Sequence, residues 1–140
     1  MGHVFTKIKV VNTVDLAMAA GKTRGGKAAQ IRSVVIPDAL IDTGASDLCL
    51  PERYITQLGL IPYKRRVRVT TANGVVLRRK YWGGMVSIRD RSCQCDVMEM
   101  PDNAPTLVGV LPLEALDYKI DPKKERLVGK HGREQVTLMY

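Results

Sequence analysis

Apolar and polar side chains alternate along much of this chain, and that pattern predicts strands rather than helices. Val4 to Val14 alternates and is rich in β-branched residues, which suits a half-buried pleated surface. Gln30 to Ile36 reads as the returning strand of a long hairpin. Pro37-Asp38 interrupts it, and Ala39 to Ile41 resumes the apolar run. Between the two arms, Gly21 to Lys27 is a loop by composition. Val67 to Tyr81 contains Asn73-Gly74, a strong hairpin signal. Met85 to Ile88 and Cys95 to Met100 read as a further strand pair around Arg89 to Ser92. Thr106 to Val108 is a short apolar strand, and Glu134 to Tyr140 is a candidate last strand. Two short helices are expected, Pro51 to Leu58 and Pro112 to Leu116. Each opens on a proline suited to a first helical turn, and Gly59 is a natural stop for the first. The expected fold is all-β: a small barrel or sandwich of short strands with one or two short helices.

Patterning also suggests a register for the Asn73-Gly74 hairpin. A two-residue turn there pairs Arg68 with Arg79 and mixes polar with apolar side chains on both faces. A three-residue loop, Asn73 to Val75, pairs Ala72 with Val76. It gathers Val67, Val69, Thr71, Leu77 and Tyr81 on one face, with Arg79 the exception, and Arg66, Arg68, Thr70, Arg78 and Lys80 on the other. Because a one-residue slip inverts every side chain, the second register is expected, with its basic stripe turned to solvent.

Composition narrows the setting. At 140 residues and 45% hydrophobic, the chain is expected to form one domain spanning 1–140, with a core that needs no disulfide staples. No stretch is long and apolar enough for a membrane span, and the first twenty residues, with Lys7, Lys9 and Asp15, lack a secretory layout. Three cysteines (Cys49, Cys93, Cys95) read as reduced thiols in a cytoplasmic protein. The net charge of +8 suits a nucleic-acid binder or a protein with acidic partners. Aromatics at 5% are poor material for base-stacking platforms, which disfavours nucleic acid.

The chemistry concentrates in Ala39-Leu-Ile-Asp-Thr-Gly-Ala-Ser46. An apolar run delivers Asp42 to the end of a buried strand. Gly44 lets the chain bend tightly and exposes backbone N–H groups near the carboxylate, and Thr43 offers a hydroxyl to hold the loop. An Asp-Thr-Gly triplet alone is common by chance. Rival motifs are weaker still. Gly21 to Ala28 nearly fits a phosphate-binding loop, but Ala28 replaces the hydroxyl that would ligate magnesium. Cys93-x-Cys95 supplies two thiols on one strand face, and neither His3 nor His131 completes a zinc set, so neither metal nor cofactor is expected. Cys49, between two leucines, reads as packing.

Context gives the triplet weight. Leu48-Cys-Leu50 resumes the apolar pattern, an Asn-Gly hairpin follows about thirty residues beyond the acid, and Leu107-Val108-Gly109 comes before Leu113 to Leu116 and Ile120-Asp-Pro122. This order, from Val4 to Val128, resembles the retropepsin-like aspartic proteases, the single-domain relatives of pepsin. The resemblance implies a closed barrel acting as a C2 homodimer, with residues 129–140 as a tail that could add an interface strand. It implies Asp42 as the catalytic acid of an aspartic endopeptidase, one from each subunit, and Thr43, Gly44 and Ala45 as the active-site loop. It further implies Ala72, Asn73 and Gly74 as the tip of a flap over bound peptide, and Leu107, Val108 and Gly109 as the support behind the loop.

The pairing has a physical reason. Two carboxylates about 3 Å apart repel by about 5 kcal/mol at an effective dielectric of about 20. They therefore share one proton, which gives a base for water and an acid for the amide. Ser46 and Val110 stand where retroviral members have an Asp and an Arg that support the dimer, which implies weaker association here. Two other readings remain open: a retropepsin-fold module that binds peptide or dimerises without efficient cleavage, and a basic nucleic-acid-binding β domain.

Overall fold

Phe5–Asn12 forms strand β1, with Ile8 and Val10 turned into the core and Lys7 and Lys9 into solvent. The computed structural model describes residues 3–21 and 30–139. The strand does not run on through Val14 as its β-branched residues suggest. Asn12 stops it: its Oδ1 accepts the Asp15 N–H at 3.0 Å, and its Nδ2 donates to the Leu58 carbonyl at 2.8 Å. That cap starts helix α1 (Thr13–Gly21), a third helix where at most two were expected. Beyond Gly21, the basic stretch to Ala28 lies outside the described residues.

Strand β2 (Ser33–Ile41) returns antiparallel to β1, with Val10 opposite Val34 and Thr6 opposite Ala39. Pro37 and Asp38 do not break it. They form a bulge opposite Lys7, which accommodates the missing proline N–H within one continuous strand. After β3 (Leu48–Pro51) comes α2 (Glu52–Leu58), which ends as expected. Gly59 takes φ +63 and donates its N–H back to the last turn, a left-handed cap that suits glycine.

The remaining elements are β4 (Pro62–Thr71), β5 (Gly74–Ile88), β6 (Arg91–Met100), β7 (Leu107–Val108), α3 (Val110–Ala115), β8 (Tyr118–Asp121) and β9 (Arg126–Gly129). Strands hold 51% of the described residues and helices 17%, so the fold is mostly β. Pairing runs β1–β2–β7–β3–β6–β5 and returns to β1 through Val10 opposite Val86, while β4, among the described residues, joins β5 alone. Ile8, Ile36, Leu48, Leu50, Val86, Val97 and Val108 fill the interior with almost no exposure, and Leu58 of α2 and Leu116 just after α3 close it. Each contributes roughly 2 kcal/mol through the apolar surface it removes from water. No helix among the described residues is long and apolar enough to cross a membrane.

Three further expectations need correction. In the β4–β5 hairpin, Val69 lies opposite Val76 and Thr71 opposite Gly74, so neither expected register forms. The Thr71 hydroxyl donates to the Gly74 carbonyl at 2.8 Å and accepts the Asn73 N–H at 3.2 Å, which fixes the turn at Ala72-Asn73 and leaves Gly74 at φ +113. Val67 and Val69 are half-buried as expected. On β5, however, Leu77 and Arg79 are the exposed residues, and Arg78 and Lys80 turn inward. Second, the last helix starts at Val110 rather than at Pro112. Third, residues 135–139 form no strand; the C-terminal strand pair is β8 with β9. The tail is held to its own chain by side chains. Gln135 donates to the Ala115 and Ser92 carbonyls, and the buried Asp117 accepts the Val136 N–H and pairs with His131.

Candidate active site

The end of β2 lies parallel to β7, with Leu40 opposite Leu107 and Ile41 opposite Val108. β3 lies antiparallel to the other edge of β7, with Leu48 opposite Val108. The two strands flanking residues 42–47 are thus clamped on either side of two buried or half-buried residues. Three consecutive N–H groups then tie the loop down: Gly109 to the Asp47 carbonyl at 3.0 Å, Val110 to Ala45 at 2.8 Å and Leu111 to Ser46 at 3.0 Å. Gly109 must be glycine. A Cβ there would lie 2.6 Å from the Ser46 carbonyl carbon and 2.7 Å from the Ala45 oxygen, closer still to the Asp47 oxygen. Leu107, Val108 and Gly109 therefore stand behind the loop.

Asp42 leaves the sheet at the mouth of this clamp. Its N–H donates to the Val108 carbonyl at 3.0 Å, and its Oδ1 accepts the Gly44 N–H at 2.9 Å. The carboxylate is half-buried, and Thr43 and Gly44 are exposed. A groove of about 590 Å³ opens from Asp42, Gly44 and Ser46 across Met98 and Met100 to Val67–Thr71 of β4. The structure so brings Asp42, Gly44, Ala45 and Leu107 to one groove. Ala72, Asn73 and Gly74 do not line it; they form the exposed hairpin tip beyond Thr71. A smaller space of about 280 Å³ lies on the other side of Asp42, between Thr43 and the β8–β9 turn at Ile120, Pro122 and Glu125.

One feature of the site was missed in the sequence pattern. Lys80, expected on the solvent side, reaches Asp47 Oδ2 at 3.2 Å and Asp96 Oδ2 at 3.7 Å, and Tyr63 donates to the same Asp96 oxygen at 2.7 Å. Lys80 thus joins the hairpin stem to the loop that carries Asp42. Burial opposes its charge, but the hydrogen bond and charge of Asp47, with Tyr63 and Asp96, outweigh burial and hold the ammonium above its ordinary value. A raised base gives stability that is whole below pH 10.5 and is lost as pH rises through the higher folded value. Lys80→Met, which leaves Asp47 only 11% exposed and unpaired, should cost about 2 kcal/mol of stability at neutral pH. Lys80→Arg should recover part of it, as thermal melts of both variants will register. Equal melting of wild type and Lys80→Met at neutral pH would contradict the pairing.

Two of the three thiols are held protonated, whereas the hydrogen bond with Cys95 lowers Cys93 against its burial. Burial, with the charges of Asp47 and Asp42, pushes Cys49 up to about 12. Cys95 is pushed up by its hydrogen bond with Cys93 and by burial. Two carboxylates line the groove, and Lys80 already engages Asp47, so Asp42 is the uncommitted one. That arrangement can polarise water, but a base and an acid together require a second such group.

Residues 28–117, close to two thirds of the chain, match the family model described as "gag-polyprotein putative aspartyl protease". The match runs from just before β2 to just after α3 and so contains the Asp42 loop, its β7 support and the hairpin. No curated protein matches the chain.

Proposed function

Because the chain belongs to the aspartyl protease family of gag polyproteins, we propose that it is an aspartic endopeptidase whose active site is shared between two copies. The observation that carries this reading is the uncommitted Asp42 carboxylate, held at the mouth of a groove by a loop that Gly109 backs through its N–H bond to the Asp47 carbonyl. In a two-fold pair, one Asp42 is ionised and draws a proton from water. The other is protonated and hydrogen-bonds the scissile carbonyl. The hydroxide adds to the carbonyl carbon, and the proton taken from water then passes from the first Asp42 to the amine nitrogen as the C–N bond breaks, which returns the pair to one shared proton with no covalent intermediate. The ring of strand pairings that returns to β1 supports a closed barrel as the scaffold. β4, paired on one edge only, supplies free backbone groups along the groove for an extended peptide.

The partner is proposed to dock on the Thr43 and β8–β9 side. β8 and β9 form a separate two-stranded sheet with open edges, next to the space that borders Asp42 and Thr43. This replaces the tail as the interface element. Ser46 and Val110 contribute backbone rather than ionic contacts to the loop, so association is weak. Specific activity should therefore rise with enzyme concentration, in parallel with dimer content measured by sedimentation. Constant specific activity on dilution through the range where the dimer dissociates would contradict the shared site.

Dependence on pH offers a further check. The rate should fall in acid as the base is protonated and in alkali as the shared proton is lost, giving a bell with an acidic optimum. Initial rates that stay flat between about pH 4 and about pH 9 would exclude a shared proton. The deciding experiment for the class is inhibition. A statine-type mimic of the tetrahedral intermediate should block cleavage stoichiometrically per dimer, and peptide cleavage indifferent to it would remove the assignment.

A further inference from the structure

The β4–β5 hairpin carries seven cations between Lys64 and Lys80, and residues 62–88 contain no carboxylate at all. Of the seven, only Lys80 makes an ion pair among the described residues, and it is consumed by Asp47 and Asp96. Arg68 is different. It is exposed, makes no ion pair among the described residues, and lines the same groove as Asp42. The groove thus has a neutralised wall at Asp47–Lys80 and an uncompensated positive charge on the edge strand.

Resting on the endopeptidase reading above, we propose that the groove selects peptides carrying Asp or Glu close to the scissile bond, with Arg68 as the residue that reads the carboxylate. An extended peptide laid along the free edge of β4 passes Val67 to Thr71 in succession and brings alternate side chains to the Arg68 side. A guanidinium binds a carboxylate through two parallel hydrogen bonds, which selects an acid over its amide isostere. The surrounding cations add a longer-range attraction that salt screens. A nucleic acid is the poorer fit. The span from Lys64 to Lys80 has no aromatic residue on which a base could stack, and its outward face carries Val75 and Leu77, both more than half exposed.

Binding separates this inference from catalysis. Fluorescein-labelled decapeptides of alternating Glu and Val, or Gln and Val, are titrated into Asp42→Asn protein, which cannot cut them. The Glu peptide should bind about fivefold more tightly in low salt, and the preference should shrink in high salt. Arg68→Gln should bring the ratio toward one, while Lys7→Gln, which removes the same charge from an exposed position on β1, should preserve it. Equal affinities for the two peptides would overturn the proposal, as would equal effects of the two substitutions, since net charge alone would then explain the preference. So would displacement of the Glu peptide by a single-stranded oligonucleotide at lower concentration than by unlabelled Glu peptide. In parallel, wild-type protein is given a proteome-derived peptide library. Cleavage sites enriched in flanking Asp or Glu support the inference, and cleavage without enrichment overturns it alone. Cleavage of nothing overturns the endopeptidase reading, while the binding ratio still decides whether Arg68 reads a carboxylate.

Discussion

Asp42→Asn should lower peptidase activity by at least about a thousandfold, since a positioned acid or base contributes roughly that much, while the melting temperature stays close to wild type. The reason lies in what the side chain does in each role. Structurally, Asp42 Oδ1 accepts one N–H from Gly44, and an asparagine Oδ1 accepts it equally well. The neighbouring contacts of the loop run through backbone, from Asp42 to Val108 and from Ala45 to Asp42, and are indifferent to the change. Chemically, an amide cannot take a proton from water or share one with a partner carboxyl. Purified Asp42→Asn protein with matched circular dichroism and melting, assayed on the same peptide, separates the two roles. Undiminished cleavage would mean that another group does the chemistry.

Gly109→Ala should damage both fold and activity. The atoms that a new Cβ would meet are backbone atoms of Ala45, Ser46 and Asp47, so no side-chain rotation relieves the overlap. To admit the methyl group, the loop must move away from β7 and stretch the three hydrogen bonds from residues 109–111. Overpacking of this kind costs about 2 to 3 kcal/mol. For a chain of this size that corresponds to a melting temperature lower by roughly 10 °C. Activity should fall even below the melting point, because the displaced loop carries Asp42. Thermal melts and kcat at a temperature where both proteins are folded test the two halves separately. Melting within a degree of wild type would mean that the loop has room the geometry denies.

The parts of the fold legible in the sequence are those in which local pattern and tertiary contact agree. Asp42-Thr-Gly44 and Leu107-Val-Gly109 are associated through the resemblance to retropepsin-like proteases, which implies the second as support behind the first. The structure places them in hydrogen-bonded contact. α2 was legible because Pro51 and Gly59 punctuate it from both sides. α1 was not, since Val10, Val11, Thr13 and Val14 favour a strand. The overlooked signal was Asn12 three residues before Asp15, the spacing of a helix cap.

The hairpin register failed for a related reason. The face pattern favours a three-residue loop, Asn73 to Val75, but the Thr71 hydroxyl binds both sides of the turn and moves it back to Ala72-Asn73. The inward Lys80 follows from that register and from two carboxylates that a hydropathy pattern does not register: Asp47 and Asp96 lie apart from it in sequence and meet it only in space. The tail reads as a strand from Val136, Thr137 and Tyr140, yet the Gln135 side chain donates to the Ser92 and Ala115 carbonyls and Asp117 accepts the Val136 N–H, single contacts that make no ladder.

Subunit mixing tests the central claim most directly. Wild-type and Asp42→Asn chains are combined at fixed total concentration, above the level at which dimers form, and allowed to exchange. If each active site needs Asp42 from both copies, only the homodimer of wild-type chains is active, and an equal mixture retains about a quarter of the wild-type rate. A rate that falls only in proportion to the wild-type fraction, to about half in that mixture, would mean that each chain carries a complete site and would contradict the shared pair of carboxylates.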